Sequence, residues 1–178
     1  SGGNNISAIV PLAGGKVLAA GAISHIRGTS VPANLVRLNA DGSVDTTFNS
    51  GGAGANGTIY AAVVLSDGRI AIAGSFTTYN GTARNRIAVL SASGVMDAAF
   101  NPSTGGLNST GYVLVVLPGG RLLVGGAFTT VNGVVRNRAA VLNFNGSLDA
   151  SFDARIGANS TVYCAAAQAD GKVLLGGA

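Results

Sequence analysis

The sequence predicts an all-β fold of repeated β-propeller blades, each of four antiparallel strands. Three observations lead there: a motif that recurs at a step of about 52 residues, tight Asp-Gly and Gly-Gly turns between apolar runs, and a composition poor in helix formers. The motif reads GGKVLAAG at Gly14–Gly21, DGRIAIAG at Asp67–Gly74, GGRLLVGG at Gly119–Gly126 and DGKVLLGG at Asp170–Gly177. Its second glycines, Gly15, Gly68, Gly120 and Gly171, lie 53, 52 and 51 residues apart. Phe48, Phe100 and Phe152 form a second ladder with a step of 52, and Asp45, Asp97 and Asp149 a third. The ladders divide the chain into units 4–53, 54–105 and 106–156 and a half unit 157–178.

Within the second unit a first strand is expected over Tyr60–Leu65 and a second over Arg69–Ala73, joined by Asp67-Gly68, a turn pair that tolerates the positive φ angles a hairpin needs. A loop containing Asn80-Gly81 leads to a third strand over Arg86–Leu90. A short fourth, Val95–Asp97, follows the turn at Ser93-Gly94, which reads Asp41-Gly42 and Asn145-Gly146 in the neighbouring units. The first two strands show little polar alternation, so both of their faces are expected to be covered, as in blades packed face to face. The alternative, a β-solenoid, uses shorter coils than this period.

Composition agrees. The 178 residues include 28 Gly and no Glu, and only 10% are charged, whereas Val, Ile and Thr are plentiful. The net charge of +4 comes from 11 scattered Lys and Arg, with only Arg84/Arg86 and Arg136/Arg138 close together. Without a basic stripe or any Trp, a nucleic-acid partner is not expected. The single cysteine, Cys164, excludes an internal disulfide and, lying in the apolar run Val162–Ala166, is expected to be buried and inert. No apolar run approaches the roughly 18 residues of a membrane helix and no signal peptide stands at the start, so no membrane insertion is expected.

The succession Asp67-Gly68-Arg69, Phe76-Thr77-Thr78-Tyr79-Asn80-Gly81, Arg84-Asn85-Arg86 and Asp97-Ala98-Ala99-Phe100 resembles the delta-60 repeat family of bacterial β-propellers. The third unit carries it too, in Phe128–Gly133, Arg136-Asn137-Arg138 and Asp149-Ala150-Ser151-Phe152. The resemblance spans essentially the whole chain and implies a propeller of large bacterial surface or secreted proteins, without catalytic residues. Unit one departs from it between Ala22 and Asn34. Ile23 replaces the Phe, His25 stands for Thr78 and Thr130, Arg27 replaces Asn80, and Pro32-Ala33-Asn34 replaces Arg-Asn-Arg, so this loop is not expected to copy the others.

Propellers close with about four to eight blades. Three units and a half fall short, so further blades of the same chain, or other copies of it, are expected against both ends, where strand edges would otherwise be bare.

A catalytic site breaks a repeat, whereas a scaffold residue recurs in it. Asp41, Asp67 and Asp170 occupy turns, and Asp45, Asp97 and Asp149 the fourth-strand position; all are expected to serve the fold. Asp153 and Arg155 are expected as a solvated loop pair. In each Arg-Asn-Arg, one Arg (Arg86, Arg138) is expected to brace the blade through backbone carbonyls or the repeated Asp, with an anion site as the alternative. Asp41-Gly42-Ser43-Val44-Asp45 lacks the spaced carboxylates and closing Glu of a calcium loop. His25, the single histidine, offers no second imidazole for a metal and no nucleophile partner. Tyr60, Tyr112 and Tyr163 are expected in blade cores with satisfied hydroxyls, and Tyr79 exposed in the Asn-Gly loop. The Asn-X-Thr triplets at Asn56, Asn80 and Asn108 matter only in a source that glycosylates exported proteins.

The expectation is therefore a non-catalytic scaffold, binding or adhesion module of a larger secreted, cell-surface or virion-associated protein, with no cofactor and no metal, meeting a surface protein or a glycan. His25, Arg27 and Tyr79 are the candidate contact residues; Asp45, Asp97, Asp149, Phe48, Phe100, Phe152, Arg86 and Arg138 are repeat-structural. The alternatives are a subunit that builds a filament by blade-to-blade contact and part of an enzyme whose active residues lie mostly elsewhere.

Overall fold

The computed structural model describes residues 4–100, 105–152 and 157–178, so the expected Asp153–Arg155 pair and the unit boundary at 156 lie outside the described residues. In the first unit β1 (Asn5–Pro11) runs antiparallel to β2 (Val17–Ala22). A separate hairpin of β3 (His25–Ile26) and β4 (Thr29–Ser30) follows, and β5 (Leu35–Leu38) returns to the free side of β2. The second unit repeats this with β6 (Ile59–Val64), β7 (Ile70–Gly74), β8 (Thr78–Tyr79), β9 (Thr82–Ala83) and β10 (Ile87–Leu90). The third does so with β11 (Gly111–Val116), β12 (Leu122–Gly126), β13 (Thr130–Val131), β14 (Val134–Val135) and β15 (Ala139–Leu142), and a last hairpin pairs β16 (Val162–Ala167) with β17 (Val173–Gly177).

Local chemistry sets these elements. At Asp67-Gly68 the Asp67 carboxylate accepts the Arg69 amide at 3.1 Å while Gly68 takes φ +84°, closing β6 onto β7. The Gly-Gly turns of units one and three close through a single 3-10 turn, Ala13–Gly15 and Pro118–Gly120. Opposite each first strand stands a glycine whose missing side chain makes room: a Cβ on Gly74 would lie 2.1 Å from the Thr58 carbonyl oxygen.

Two expectations are corrected. The sheets have three strands, in the order β1-β2-β5, β10-β7-β6 and β11-β12-β15, and the expected fourth strand shrinks to one bridge in each unit, Leu38 to Val44, Leu90 to Met96 and Leu142 to Leu148. The cause is local. The turn closed by Ser91 and Val95 brings Met96 opposite Leu90, and Asp97 then accepts the Ala99 amide at 2.9 Å, which bends the chain out of the ladder. The expected Asn80-Gly81 loop is instead the hairpin β8–β9, and unit one copies it in β3–β4 despite its changed sequence.

The core lies between successive sheets. Every residue of β7 and β12 is buried, as their unbroken apolar runs predict. Ala71, Ala73, Ile87 and Val89 of the second unit share one cluster with Leu114, Leu122, Val124 and Leu142 of the third. Each buried Leu or Ile there contributes roughly 1.5–3 kcal/mol. The first strands run side by side, β1 against β6, β6 against β11 and β11 against β16. The outermost sheets keep one bare face each, with Ile9 66% and Leu174 57% exposed.

Candidate functional site

Each first strand carries a bulge at the same place. Pairing of β6 with β7 jumps from Ile59–Gly74 to Ala61–Ala73, leaving Tyr60 as the extra residue. The same jump leaves Tyr112 in β11, Tyr163 in β16 and Ser7 in β1. A bulge re-aims the side chain it carries. Because these strands are adjacent edge strands, the tyrosines meet: ring centroids of Tyr60 and Tyr112 lie 5.0 Å apart, and those of Tyr112 and Tyr163 5.2 Å, tilted by 52° and 54°. Tyr60 and Tyr112 are half-buried and Tyr163 exposed, and their hydroxyls donate to nothing among the described residues. The expectation of core tyrosines with satisfied hydroxyls is corrected: the bulge turns them onto the sheet edge as an aromatic ladder.

The repeated carboxylates are held inside the fold. Asp97 Oδ2 accepts from Arg69 Nη1 at 2.8 Å, Asp149 Oδ2 from Arg121 Nη1 at 2.9 Å, and Asp45 Oδ2 from Lys16 Nζ at 2.6 Å and Arg37 Nε at 2.8 Å. Their other oxygens accept the amides of Ala99, Ser151 and Thr47. The Lys16 ammonium and Thr47 hydroxyl hold Asp45 well below the usual carboxylate range. The Ser151 hydroxyl and then Arg121 bring Asp149 down to about 2, and Arg69 lowers Asp97. The partner is thus the cation after the Gly-containing turn, which sequence reading did not pair with the Asp although it recurs at Lys16, Arg69 and Arg121.

Arg86 and Arg138 bond backbone instead. Arg86 Nη1 donates to the Leu107 carbonyl at 2.9 Å, tying the second unit to the third, and Arg138 Nη1 donates to the Ala127 carbonyl. In unit one Asn34 Nδ2 makes the tie of Arg86, donating to the Ala55 carbonyl at 2.8 Å. Asn34, Arg86 and Arg138 share a left-handed backbone, φ +70°, +67° and +68°. Phe48 and Phe100 are buried, and Phe152 packs against the cluster of Leu117, Leu123 and Val141.

The three candidate contact residues are not brought together. His25 is exposed at the start of β3, with Nδ1 3.0 Å from Ser24 Oγ. Arg27 holds the first turn position of the β3–β4 hairpin, and its guanidinium lies where a Cβ on Gly42 would come within 2.9 Å of it. Tyr79 differs from the expectation: it is fully buried in the cluster that holds Leu18 and Leu35 of the first unit and Ile70 and Ile72 of the second, and its hydroxyl donates to the Gly94 carbonyl at 2.9 Å. Burial pushes its phenol far above the ordinary value. Cys164, expected in a core, is exposed, since nothing among the described residues covers that face of β16–β17.

Sequence reading also missed Arg37. It stands in β5 at the register of Val89 and Val141, bonded to Asp45, donating to the Ala92 carbonyl at 2.7 Å and lying 4.8 Å over the Phe48 ring. A cleft of about 200 Å³ opens beside it, lined by Thr29, Pro32, Leu35, Phe48 and Asn49 among others. The signal available was a charge at a position that is Val in the other units.

Among the described residues no three His, Cys, Asp or Glu gather as metal ligands, and no helix is long and apolar enough to cross a membrane. The family model described as a domain of unknown function (DUF5122) beta-propeller matches three times, over residues 14–48, 65–100 and 117–152, which together make up more than half of the chain. The chain belongs to the DUF5122 β-propeller family. Each match runs from the turn before the second strand to the repeated Phe, so the DUF5122 segment holds the paired cation and Asp, while Tyr60 and Tyr112 lie between matches and Tyr163 after the last one. No curated protein matches the chain.

Proposed function

We propose that this DUF5122 propeller is a non-catalytic scaffold and binding module of a larger secreted, cell-surface or virion-associated protein, of the delta-60 kind that its motifs resemble. Its blades are units of about 52 residues, each a three-stranded sheet with a single bridge where the expected fourth strand would stand. The observation that carries the binding role is the tyrosine ladder: Tyr60, Tyr112 and Tyr163 present a continuous aromatic edge whose hydroxyls are unengaged among the described residues, while the repeated Asp97, Asp149 and Asp45 are consumed by ion pairs. Aromatic rings with one polar tip suit a glycan or a protein surface. His25 adds an exposed polar contact on the unit-one hairpin.

The test is binding to arrayed glycans and to surface-protein extracts by the chain and by a Tyr60→Ser/Tyr112→Ser/Tyr163→Ser variant. Ser already occupies this bulge at Ser7, and a retained cooperative melt shows that the variant folds. Binding by the parent chain that drops at least tenfold in the variant supports the reading; equal binding by both removes the ladder from it.

A further inference from the structure

The bulge at the start of each first strand carries Ser7, Tyr60, Tyr112 and Tyr163 in turn, so the bulge itself does not call for an aromatic residue. Hydrogen bonds do not account for the phenols either, since none of the three hydroxyls has a partner among the described residues. What the bulge does is turn each tyrosine against the next one. The contact of Tyr60 with Tyr112 belongs to the interior of the array: β6 has β1 and β11 beside it, and β11 has β6 and β16.

Both contacts come close to the geometry of two phenols bonded ring to ring. In an ortho-linked biphenol the carbons next to the hydroxyl carbons are joined directly. The ring planes are then twisted part-way between coplanar and perpendicular, because the groups beside the bond crowd each other. Interplanar angles of 52° and 54° fall in that range, and centroid separations of 5.0 and 5.2 Å leave only a small approach to make. Tyr60 and Tyr112 are half-buried rather than sealed off, so an oxidant reaches them. Cys164 is the single cysteine, so no internal disulfide ties one unit to the next.

We propose that Tyr112 is the centre of a dityrosine cross-linking site, joined by oxidation to Tyr60 or to Tyr163, which staples consecutive units together. The oxidant is a haem peroxidase using hydrogen peroxide. It takes one electron and one proton from each of two phenols, leaving two phenoxyl radicals. Their unpaired electrons form one C–C bond between ortho carbons, and the hydrogen on each of those carbons moves as a proton to the phenol oxygen, restoring both hydroxyls. The two hydrogen atoms lost by the protein reduce the peroxide to two water molecules. Rings already held in contact couple within the chain in preference to coupling between chains. The link spans 52 residues from Tyr60 or 51 to Tyr163, and restricts the unfolded chain as a disulfide of that span does. It needs only the ladder's geometry, so it stands whether or not the ladder binds a glycan or a protein.

The test treats the dilute chain with a haem peroxidase and hydrogen peroxide, under conditions that couple free tyrosine. Dityrosine fluorescence is expected in protein of monomer size. After proteolysis, residue 60 is found joined to 112, or 112 to 163, in a peptide pair lighter by two hydrogen atoms than its parts. Tyr112→Phe keeps the ring and removes both links, whereas Tyr60→Phe retains the link to Tyr163 and Tyr163→Phe the link to Tyr60. Tyr79, buried and hydrogen-bonded, is expected in no linked peptide. The linked chain unfolds at a higher urea midpoint than the untreated chain, a rise absent from Tyr112→Phe treated in the same way. No dityrosine, links only between chains, or a yield unchanged in Tyr112→Phe overturns the site; a linked chain with an unchanged midpoint overturns the staple.

Discussion

Arg69 Nη1 donates to Asp97 Oδ2 at 2.8 Å across 28 residues of sequence, fastening the turn after the first strand to the place where the fourth strand stops. Both side chains are mostly buried, 25% and 20% exposed, so this charge-assisted bond forms in a medium less polar than water. Asp97→Asn keeps the shape and removes the charge, and is expected to destabilise the chain by about 1–3 kcal/mol in urea unfolding. Asp41→Asn, on an exposed turn without such an ion pair, is expected to change little. Equal effects from the two would remove the ion pair as the reason for the repeated Asp.

The same locks predict the response to acid. Asp45, Asp97 and Asp149 all have folded values below the ordinary carboxylate pKa of about 3.9, Asp149 at about 2. A depressed carboxylate contributes stability that is present above its unfolded pKa and is lost as pH falls through the folded one. The urea midpoint is therefore expected to hold from neutrality to about pH 4 and to fall between about pH 4 and 2. Asp149→Asn is expected to start lower and to fall less over that interval. A midpoint flat down to pH 2 in the parent chain would contradict this.

The β3–β4 hairpin turns on Arg27-Gly28 with φ +48° and +80°, matching Asn80-Gly81 at +48° and +76° and Asn132-Gly133 at +51° and +76°. Both turn residues need positive φ, which Asn tolerates better than Arg. Arg27→Asn is expected to stabilise the chain by roughly 0.5–1 kcal/mol, read as a higher thermal midpoint. A drop instead would show that the Arg27 guanidinium over Gly42 is worth more than the backbone strain it brings.

What the sequence made legible was whatever is local or periodic. Asp67-Gly68 declared a hairpin because Asp and Gly are the residues that such turns need, and the apolar run of β7 declared two covered faces. Tertiary choices were not legible. Nothing local says that Asp97 takes Arg69 rather than Arg86, since both cations lie within the same unit. The β8–β9 hairpin read as a loop because two-residue strands carry no period, and with it Tyr79 read as exposed. The tyrosine ladder was hidden by the bulge, which breaks the alternation that assigns side chains to faces. The unit-one loop shows the converse: its residues changed, yet Asn34 reproduces the backbone and the inter-unit tie of Arg86 with different chemistry.

Such substitution of one donor for another gives a last prediction. In the second unit the Gly94 carbonyl accepts from Tyr79 Oη at 2.9 Å; in the third the equivalent Gly146 carbonyl accepts from Asn132 Nδ2 at 3.0 Å, beside Val131, which has no hydroxyl. Asn80, the counterpart of Asn132, is engaged elsewhere, donating to Asn49 Oδ1 at 2.7 Å and accepting from the Gly54 amide at 2.8 Å. Tyr79→Phe therefore leaves the Gly94 carbonyl without its donor and is expected to cost about 1–2 kcal/mol. Asn49→Ala releases the Asn80 amide to reach Gly94 as Asn132 reaches Gly146, so Tyr79→Phe is expected to cost at least about 0.5 kcal/mol less in that background, measured as a double-mutant cycle in urea. Strict additivity would mean that Asn80 cannot turn to Gly94, and that each unit fixes its donor for this carbonyl independently.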